Sequence, residues 1–480
     1  MKKLLAHIRQ LSFYDTLRHG SVYMLSFLAV QLLMVVSLPV FTKLLTPTDF
    51  GIYEVFNNTV RVLAIVLSLN LFNGFYRFYF EEHIDKKALM QFLLRTSLLA
   101  FSAGSVLLYI FRDTIMQTLN LPVVLTGWVI VSVFSSIVLN YFNVYNNARQ
   151  FSTRAGIWQF VQQVLRIGVS VAFVWWIARD YYGRIAGENI AFLVLALVIV
   201  LLYFRQYFGW SEQLPDKKEI LRYSVSFIPI GLSGFALGYL DTIMINSYEG
   251  SNDAGIYSYA YKIAVIYTGI TTAFVTANRP KLFDLMNQRQ EEAVIAQMRS
   301  MFKLVVALSC LFIFFAEEGG KLLALNAEFH AGLHLMPILI LSYFFNDLNE
   351  LYSFYLHYEK KVKYFYYSFT VSAVLNFILN MWLIPRYGYQ AAAYTTLISY
   401  GFMLMCTYLI CKYLLQVRVP AVRRFLDYLL LVAIVMAAQH LIMVRLDGWW
   451  WQMTIKGLIF TGVLLYLWRN ILSGLLNKNK

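Results

Sequence analysis

Asp49-Phe50-Gly51-Ile52-Tyr53 returns 204 positions later as Asp253-Ala254-Gly255-Ile256-Tyr257. Each copy opens a long apolar stretch. A second echo has nearly the same offset: Tyr182-Gly183 with Ala186 returns 205 positions on as Tyr387-Gly388 with Ala391. Two echoes at one spacing mark an internal repeat, and the stretches between the copies decide what is repeated.

Those stretches are long and nearly free of charge. The chain is 59% apolar and 14% charged, against about 45–50% and about 25% in soluble domains. The apolar residues gather into blocks of about 20, enough for a helix to cross about 30 Å of hydrocarbon. Fourteen spans are expected, near 21–44, 52–76, 89–111, 122–145, 157–178, 185–204, 222–247, 254–278, 301–325, 332–357, 363–384, 388–411, 425–443 and 450–470. The fold class is therefore an all-α polytopic membrane protein. A large soluble all-α protein would carry a polar face on every helix, and most of these segments have none.

The repeat covers six spans. Six is even, so both copies run the same way through the membrane, related by an axis along its normal. Transporters built from such halves place their substrate path between them. The expected organisation is a first six-helix lobe (1–204), a polar linker (205–221), a second six-helix lobe (222–411), and two further helices with a tail (412–480).

The net charge is +14. It follows topology and suggests no nucleic-acid partner, because the sequence carries no phosphate-binding glycine loop or zinc-finger spacing. Of the 40 Lys and Arg, with those toward span ends counted to the adjoining connection, 28 fall on the side that holds both ends of the chain, 8 on the other, and 4 (Arg61, Arg95, Arg166 and Lys262) within spans. Basic residues stay cytoplasmic, so both termini are expected in the cytoplasm of a multi-pass plasma-membrane protein. The first 20 residues read as an amphipathic cytoplasmic segment before an uncleaved first helix. The connections are short, the longest being a cytoplasmic one near 279–300, and none holds a catalytic domain. Cys310, Cys406 and Cys411 lie in or at the end of apolar segments and read as small core residues.

Polar residues recur at helical spacing inside several spans. Span two carries Glu54, Asn58, Arg61 and Ser68; span four Asn140, Asn143 and Asn147; span five Gln159, Gln163, Arg166 and Ser170; span eight Ser258 and Lys262; span eleven Ser372, Asn376 and Asn380. A charge facing lipid at mid-span costs at least about 2.5–3.5 kcal/mol, so these faces turn toward protein or water. Interhelical hydrogen bonding is the plain reading for the Asn and Ser positions. Arg61, Arg166 and Lys262 are candidates to line a cavity. Under the repeat, Lys262 falls on Asn58, one turn from Arg61, so each half presents a cation at a similar height. Paired cations suit an anionic substrate such as a phosphate.

Span ten holds Asp347 and Glu350, and span seven holds Asp241. Intramembrane carboxylates serve as proton or sodium sites or pair with neighbouring cations, and both readings stay open. His330 and His334 are four apart, but no third ligand accompanies them, so no metal site is expected. No cofactor is expected beyond that proton or sodium coupling. Gly234 and Gly238 allow close packing in span seven. Pro39 and Pro229 place a kink in the first helix of each lobe, static or gating.

Three stretches resemble the polysaccharide-transport, or oligosaccharide flippase, branch of the multidrug/oligosaccharidyl-lipid/polysaccharide exporter superfamily. They are Phe41-Thr42-Lys43-Leu44-Leu45-Thr46-Pro47-Thr48-Asp49-Phe50-Gly51-Ile52-Tyr53; Asp241-Thr242-Ile243-Met244-Ile245 with Ala254 to Lys262; and Asn376 to Gly388 with Ala391-Ala392-Ala393. Members often have Arg where this chain has Thr242, and Gly where it has Ala391. The resemblance implies two lobes around a central cavity and alternating access. It implies an undecaprenyl-diphosphate-linked oligosaccharide carried outward for O-antigen, capsule or exopolysaccharide assembly. Membrane lipids, a polysaccharide polymerase and a chain-length regulator are the partners such a role brings.

On this reading Arg61, Lys262, Arg166 and Asn58 bind the anionic headgroup. Glu54, Gln163, Asn376 and Asn380 line the cavity, and Asp347, Glu350 and Asp241 are the coupling candidates. A drug/cation antiporter of the same superfamily is the alternative, and it predicts a carboxylate-rich cavity. A membrane enzyme such as a polymerase or lipid-dependent glycosyltransferase needs a larger outer loop than this chain has, so no enzyme is expected.

Overall fold

The computed structural model describes residues 29–149, 152–209, 214–417, 422–446 and 448–476. The expected amphipathic segment of the first 20 residues lies outside them. Fourteen long helices match the fourteen expected spans: α1 (Ala29–Leu44), α2 (Pro47–Leu67), α3 (Lys86–Ile110), α4 (Thr126–Ala148), α5 (Ser152–Trp176), α6 (Tyr181–Ile199), α7 (Phe227–Glu249), α8 (Ser251–Asn287), α9 (Glu291–Leu323), α10 (Met336–Tyr358), α11 (Val362–Tyr387), α12 (Tyr389–Leu409), α13 (Val422–Arg445) and α14 (Trp449–Leu476). Among the described residues, twelve segments are long and apolar enough to cross a membrane; they include every one of these helices except α1 and α14. The described residues contain no strand.

Local signals set the helix ends. Thr46 caps α2 in a reciprocal box with Asp49, and Pro47 takes the first helical position, where its missing N–H costs nothing. Asp85 and Asp180 cap α3 and α6 through their side chains. Gly250 and Gly388 join consecutive helices at φ of 97° and 74°, a backbone that residues with a Cβ rarely adopt.

The surface inverts the rule for soluble proteins. Leu32, Val36, Trp176, Leu202, Leu322, Trp450 and Leu465 are exposed, whereas Asn58, Asn146, Asn189, Asn349, Asn376 and Asn380 are buried. Apolar outside and polar inside is the arrangement a hydrocarbon solvent selects. The chain is a multi-pass membrane protein.

Two expectations change. Span two is not continuous. α2 stops at Leu67, and the chain passes through Leu69 and Asn70 at φ of 53° and 52° before a short helix over Phe72–Phe78. The polar groups freed at the break find partners. Ser97 Oγ donates to the Ser68 carbonyl at 2.9 Å, and Asn70 Nδ2 donates to the Phe227 carbonyl at 3.0 Å. Such breaks survive in membranes only where neighbours satisfy the backbone. Second, the expected loop at 279–300 is mostly helical. α8 runs 37 residues to Asn287 and α9 resumes at Glu291. At 1.5 Å per residue α8 is about 55 Å long, so its charged end projects into water, where hydropathy no longer reports on structure.

The described residues gather into two compact units, one extending to Gly255 and the other beginning at Ile256. In the first, α7 packs on α2: Asn58 Nδ2 donates to the Tyr239 carbonyl at 3.3 Å. Ser170 Oγ of α5 donates to the Arg184 carbonyl of α6 at 3.0 Å, and Ser132 of α4 hydrogen-bonds Asn189 of α6. In the second unit, Tyr259 donates from α8 to the Gly320 carbonyl of α9 at 2.7 Å. Tyr267 and Ser309 join the same two helices at 2.9 Å. Thr395 of α12 donates to Asn380 of α11, and Lys456 of α14 pairs with Glu318 of α9.

Candidate functional site

Arg61 lies fourteen residues along α2, about 21 Å from the helix start. Val60 before it is buried, but Arg61 itself is exposed. It is exposed to a cavity of about 340 Å³ in the first unit. Val60, Arg61, Ala64 and Ile65 form the α2 wall, Ser136 and Asn140 the α4 wall, and Gly231, Phe235 and Tyr239 the α7 wall, with Phe72 just past the helix break. The guanidinium carbon of Arg61 stands 4.3 Å from the Tyr239 ring centroid. Among the described residues no carboxylate pairs with it. A cation held by an aromatic face, with its N–H groups left for a ligand, is arranged to receive an anion.

Asn58 belongs to the same face, but its amide is committed to the Tyr239 backbone. It positions α7 against α2 and so fixes the ring beneath Arg61. Asn140, from the polar stripe of span four, lines the cavity directly.

Arg166 is placed differently. Its Nε lies 3.1 Å from Glu188 Oε1 on α6, and Tyr53 donates to the other oxygen of the same carboxylate. Glu54 and Gln163 are buried in this unit, 8% exposed each. Arg184 is 4% exposed, with its guanidinium 3.5 Å from the Tyr53 ring centroid, 3.9 Å from Phe41 and 4.9 Å from Phe50. Among the described residues its Nη1 has no hydrogen-bond partner. Sequence reasoning missed Glu188 and Arg184. The signal was a charged Glu188 beside Asn189 near the start of an apolar span, with an unexplained arginine one helix back.

Lys262 is half-buried on α8, in the second unit, with Ser258 buried one turn before it. Asn376 and Asn380 are fully buried on α11, where Asn380 Nδ2 donates to Asn376 Oδ1 at 3.1 Å. Asp347 is 1% exposed, its Oδ2 has no hydrogen-bond partner, and no basic side chain pairs with it among the described residues. Glu350 lies in the field of Arg279 and His357. Asp241 is buried on α7. His330 and His334 face the carbonyls of Ala324 and Ala331, and no group of three metal-ligating side chains occurs among the described residues.

A family model described as "Polysaccharide biosynthesis protein" matches residues 16–286, and one described as "MatE" matches residues 229–382. No curated protein matches the sequence significantly. Among solved structures, a lipid II flippase MurJ in an inward closed conformation superposes with a TM-score of 0.72 at 14% identity, covering 94% of this chain and 99% of that one. A multidrug resistance MATE family transporter of the MOP superfamily, inward-facing, gives 0.57 at 12% identity over 80% of this chain and 93% of its own. A MOP superfamily transporter from Pyrococcus furiosus, described as having a binding pocket of reverse polarity, gives 0.58 at 13% identity over 82% and 93%.

Proposed function

This chain belongs to the polysaccharide biosynthesis protein family, and we propose that it is a flippase rather than an enzyme, carrying a lipid-diphosphate-linked oligosaccharide outward across the plasma membrane. The observation that carries the reading is Arg61: a mid-span cation, facing a cavity, with no carboxylate paired to it among the described residues. Its exposure in an apolar span is costly unless a ligand repays it. The fold it shares with the lipid II flippase supports the same reading.

The physical task is to move a polar headgroup through hydrocarbon. Each sugar hydroxyl transferred without a partner costs several kcal/mol, so an unaided flip is prohibitive. A polar cavity removes that barrier while the lipid tail stays in the bilayer. The diphosphate docks on Arg61, with Asn140 and Ser136 within the same cavity as donors to phosphate or sugar. Lys262 is the candidate cation of the second half. Arg166 holds α5 to α6 through Glu188 and acts as a structural partner. A diphosphate carries about two negative charges, and an inside-negative potential favours outward passage by about 2.3 kcal/mol per charge per 100 mV. Asp347 is the candidate for proton or sodium coupling that resets the carrier. Undecaprenyl as the lipid, a surface polysaccharide as the product, and a polymerase and chain-length regulator as partners complete the proposal.

The test is delivery of lipid-linked sugar to the outer leaflet in cells that depend on this protein. Arg61→Ala removes a charged hydrogen-bonding group worth about 1.5–3 kcal/mol, so delivery should fall about ten- to hundredfold. Arg61→Lys keeps the charge without the fork and should retain part of it. Unchanged delivery in Arg61→Ala, in Lys262→Ala and in the two combined would sink anion docking. A drug/cation antiporter needs a carboxylate at this cavity, and its lining has none.

A further inference from the structure

A second cavity, of about 260 Å³, lies away from Arg61. Gln91, Phe92, Arg95, Thr96 and Leu99 of α3 form one wall, and Gly209 and Lys217 of the linker form the other. The walls are close: a Cβ on Gly209 would stand 3.3 Å from the Gln91 amide nitrogen. Lys217 Nζ lies 6.0 Å from the Phe92 ring centroid, and no acidic side chain pairs with it among the described residues. Leu99 is 60% exposed and Phe208, beside Gly209, is 51% exposed.

The level of this cavity identifies what would fill it. Lys86 and Lys87 begin α3 on the side that the charge bias assigns to the cytoplasm. Arg95 is nine residues further in, about 13 Å, within reach of the headgroup layer for a long basic side chain. A basic pocket between a membrane helix and a cytoplasmic linker, with an exposed leucine on its wall, matches a phosphate with an acyl chain attached. We propose that this pocket binds the headgroup of an anionic phospholipid of the cytoplasmic leaflet, with Arg95 and Lys217 on its phosphate and Leu99 against its chain. The exposed leucine favours a lipid over a soluble phosphate, which needs no apolar wall. Because Gly209 and Lys217 belong to the linker, lipid occupancy ties that linker to α3. The inference does not depend on what the protein transports.

The experiment uses the full-length purified protein in nanodiscs of phosphatidylcholine with increasing phosphatidylglycerol, reading retained lipid by native mass spectrometry and thermal midpoint in parallel. The wild type should retain phosphatidylglycerol selectively and melt higher as it is added. A basic residue near a membrane surface contributes about 1 kcal/mol, so Lys217→Gln should lose about fivefold in affinity, and Lys217→Gln with Arg95→Gln about thirtyfold. If the double variant fails to fold, Lys217→Gln alone carries the test. Equal retention of the two lipids by the wild type, or undiminished retention by Lys217→Gln, would overturn the proposal. So would millimolar inorganic phosphate raising the melting point as far as the lipid does, which would make this a site for soluble phosphate.

Discussion

At the scale of single residues, two arginines that look alike in sequence have different surroundings. Arg61 and Arg166 both sit within apolar spans, but only Arg166 meets a carboxylate, at 3.1 Å from Glu188. Breaking a buried pair from one side strands a charge and costs about 3–5 kcal/mol, whereas replacing both partners with apolar residues is often near neutral. Glu188→Ala should therefore lower the melting point in detergent by many degrees. Adding Arg166→Met to it should recover much of the loss. Full stability in Glu188→Ala would mean the pair holds nothing together. Arg61→Ala should leave the melting point close to wild type, because that side chain is exposed to a cavity and unpaired with acid among the described residues. The polar stripes were legible in the sequence because a period of 3.6 residues stands out against apolar neighbours. The partner of each stripe was not, since Glu188 lies 22 residues from Arg166 and nothing in either helix's pattern says that they face one another.

At the scale of elements, the helices themselves were readable because hydrocarbon demands long apolar runs, and fourteen runs became fourteen helices. The break in span two was not readable, since Ser68-Leu69-Asn70-Leu71 carries neither Gly nor Pro. Asn70 adopts the left-handed region and bonds the Phe227 carbonyl. Asn70→Gly and Asn70→Val both lose that bond, so their difference isolates the backbone. The left-handed conformation costs a residue with a Cβ about 1–2 kcal/mol, and Asn70→Val should unfold more easily than Asn70→Gly by at least that amount. Equal chemical stabilities would remove the strain argument. The repeat motif has a reciprocal meaning here. A Cβ on Gly51 of α2 would collide with the Ser251 carbonyl of α8, and one on Gly255 with the Pro47 carbonyl of α2. Pro47 and Ser251 are themselves one repeat apart, so the two glycines make the same backbone contact from both sides. Backbone cannot step aside as a side chain does. Gly51→Val should push the starts of α2 and α8 apart, seen as a longer spin-label distance between them, and an unchanged distance would show that the contact does not set this conformation.

At the scale of the whole chain, the orientation proposed here rests on the charge bias, and the lipid site depends on it. With 28 basic residues on one side and 8 on the other, inversion would carry the larger set across the bilayer against the bias that fixes topology. Lys456 shows why the minority set is smaller still in effect: counted on the outer side, it is wholly buried and paired with Glu318. Alkaline phosphatase fused after Thr118, in the connection between α3 and α4, should therefore be active, because the enzyme folds only outside the cytoplasm. The same fusion after Arg289, in the turn between α8 and α9, should be inactive, and a fluorescent protein fused there should be bright. The reverse pattern would turn the linker pocket of Arg95 and Lys217 to the outer leaflet. The proposed site for a lipid of the cytoplasmic leaflet therefore stands on this one measurement, whereas an inside-negative potential favours outward passage of a diphosphate whichever way the chain is inserted.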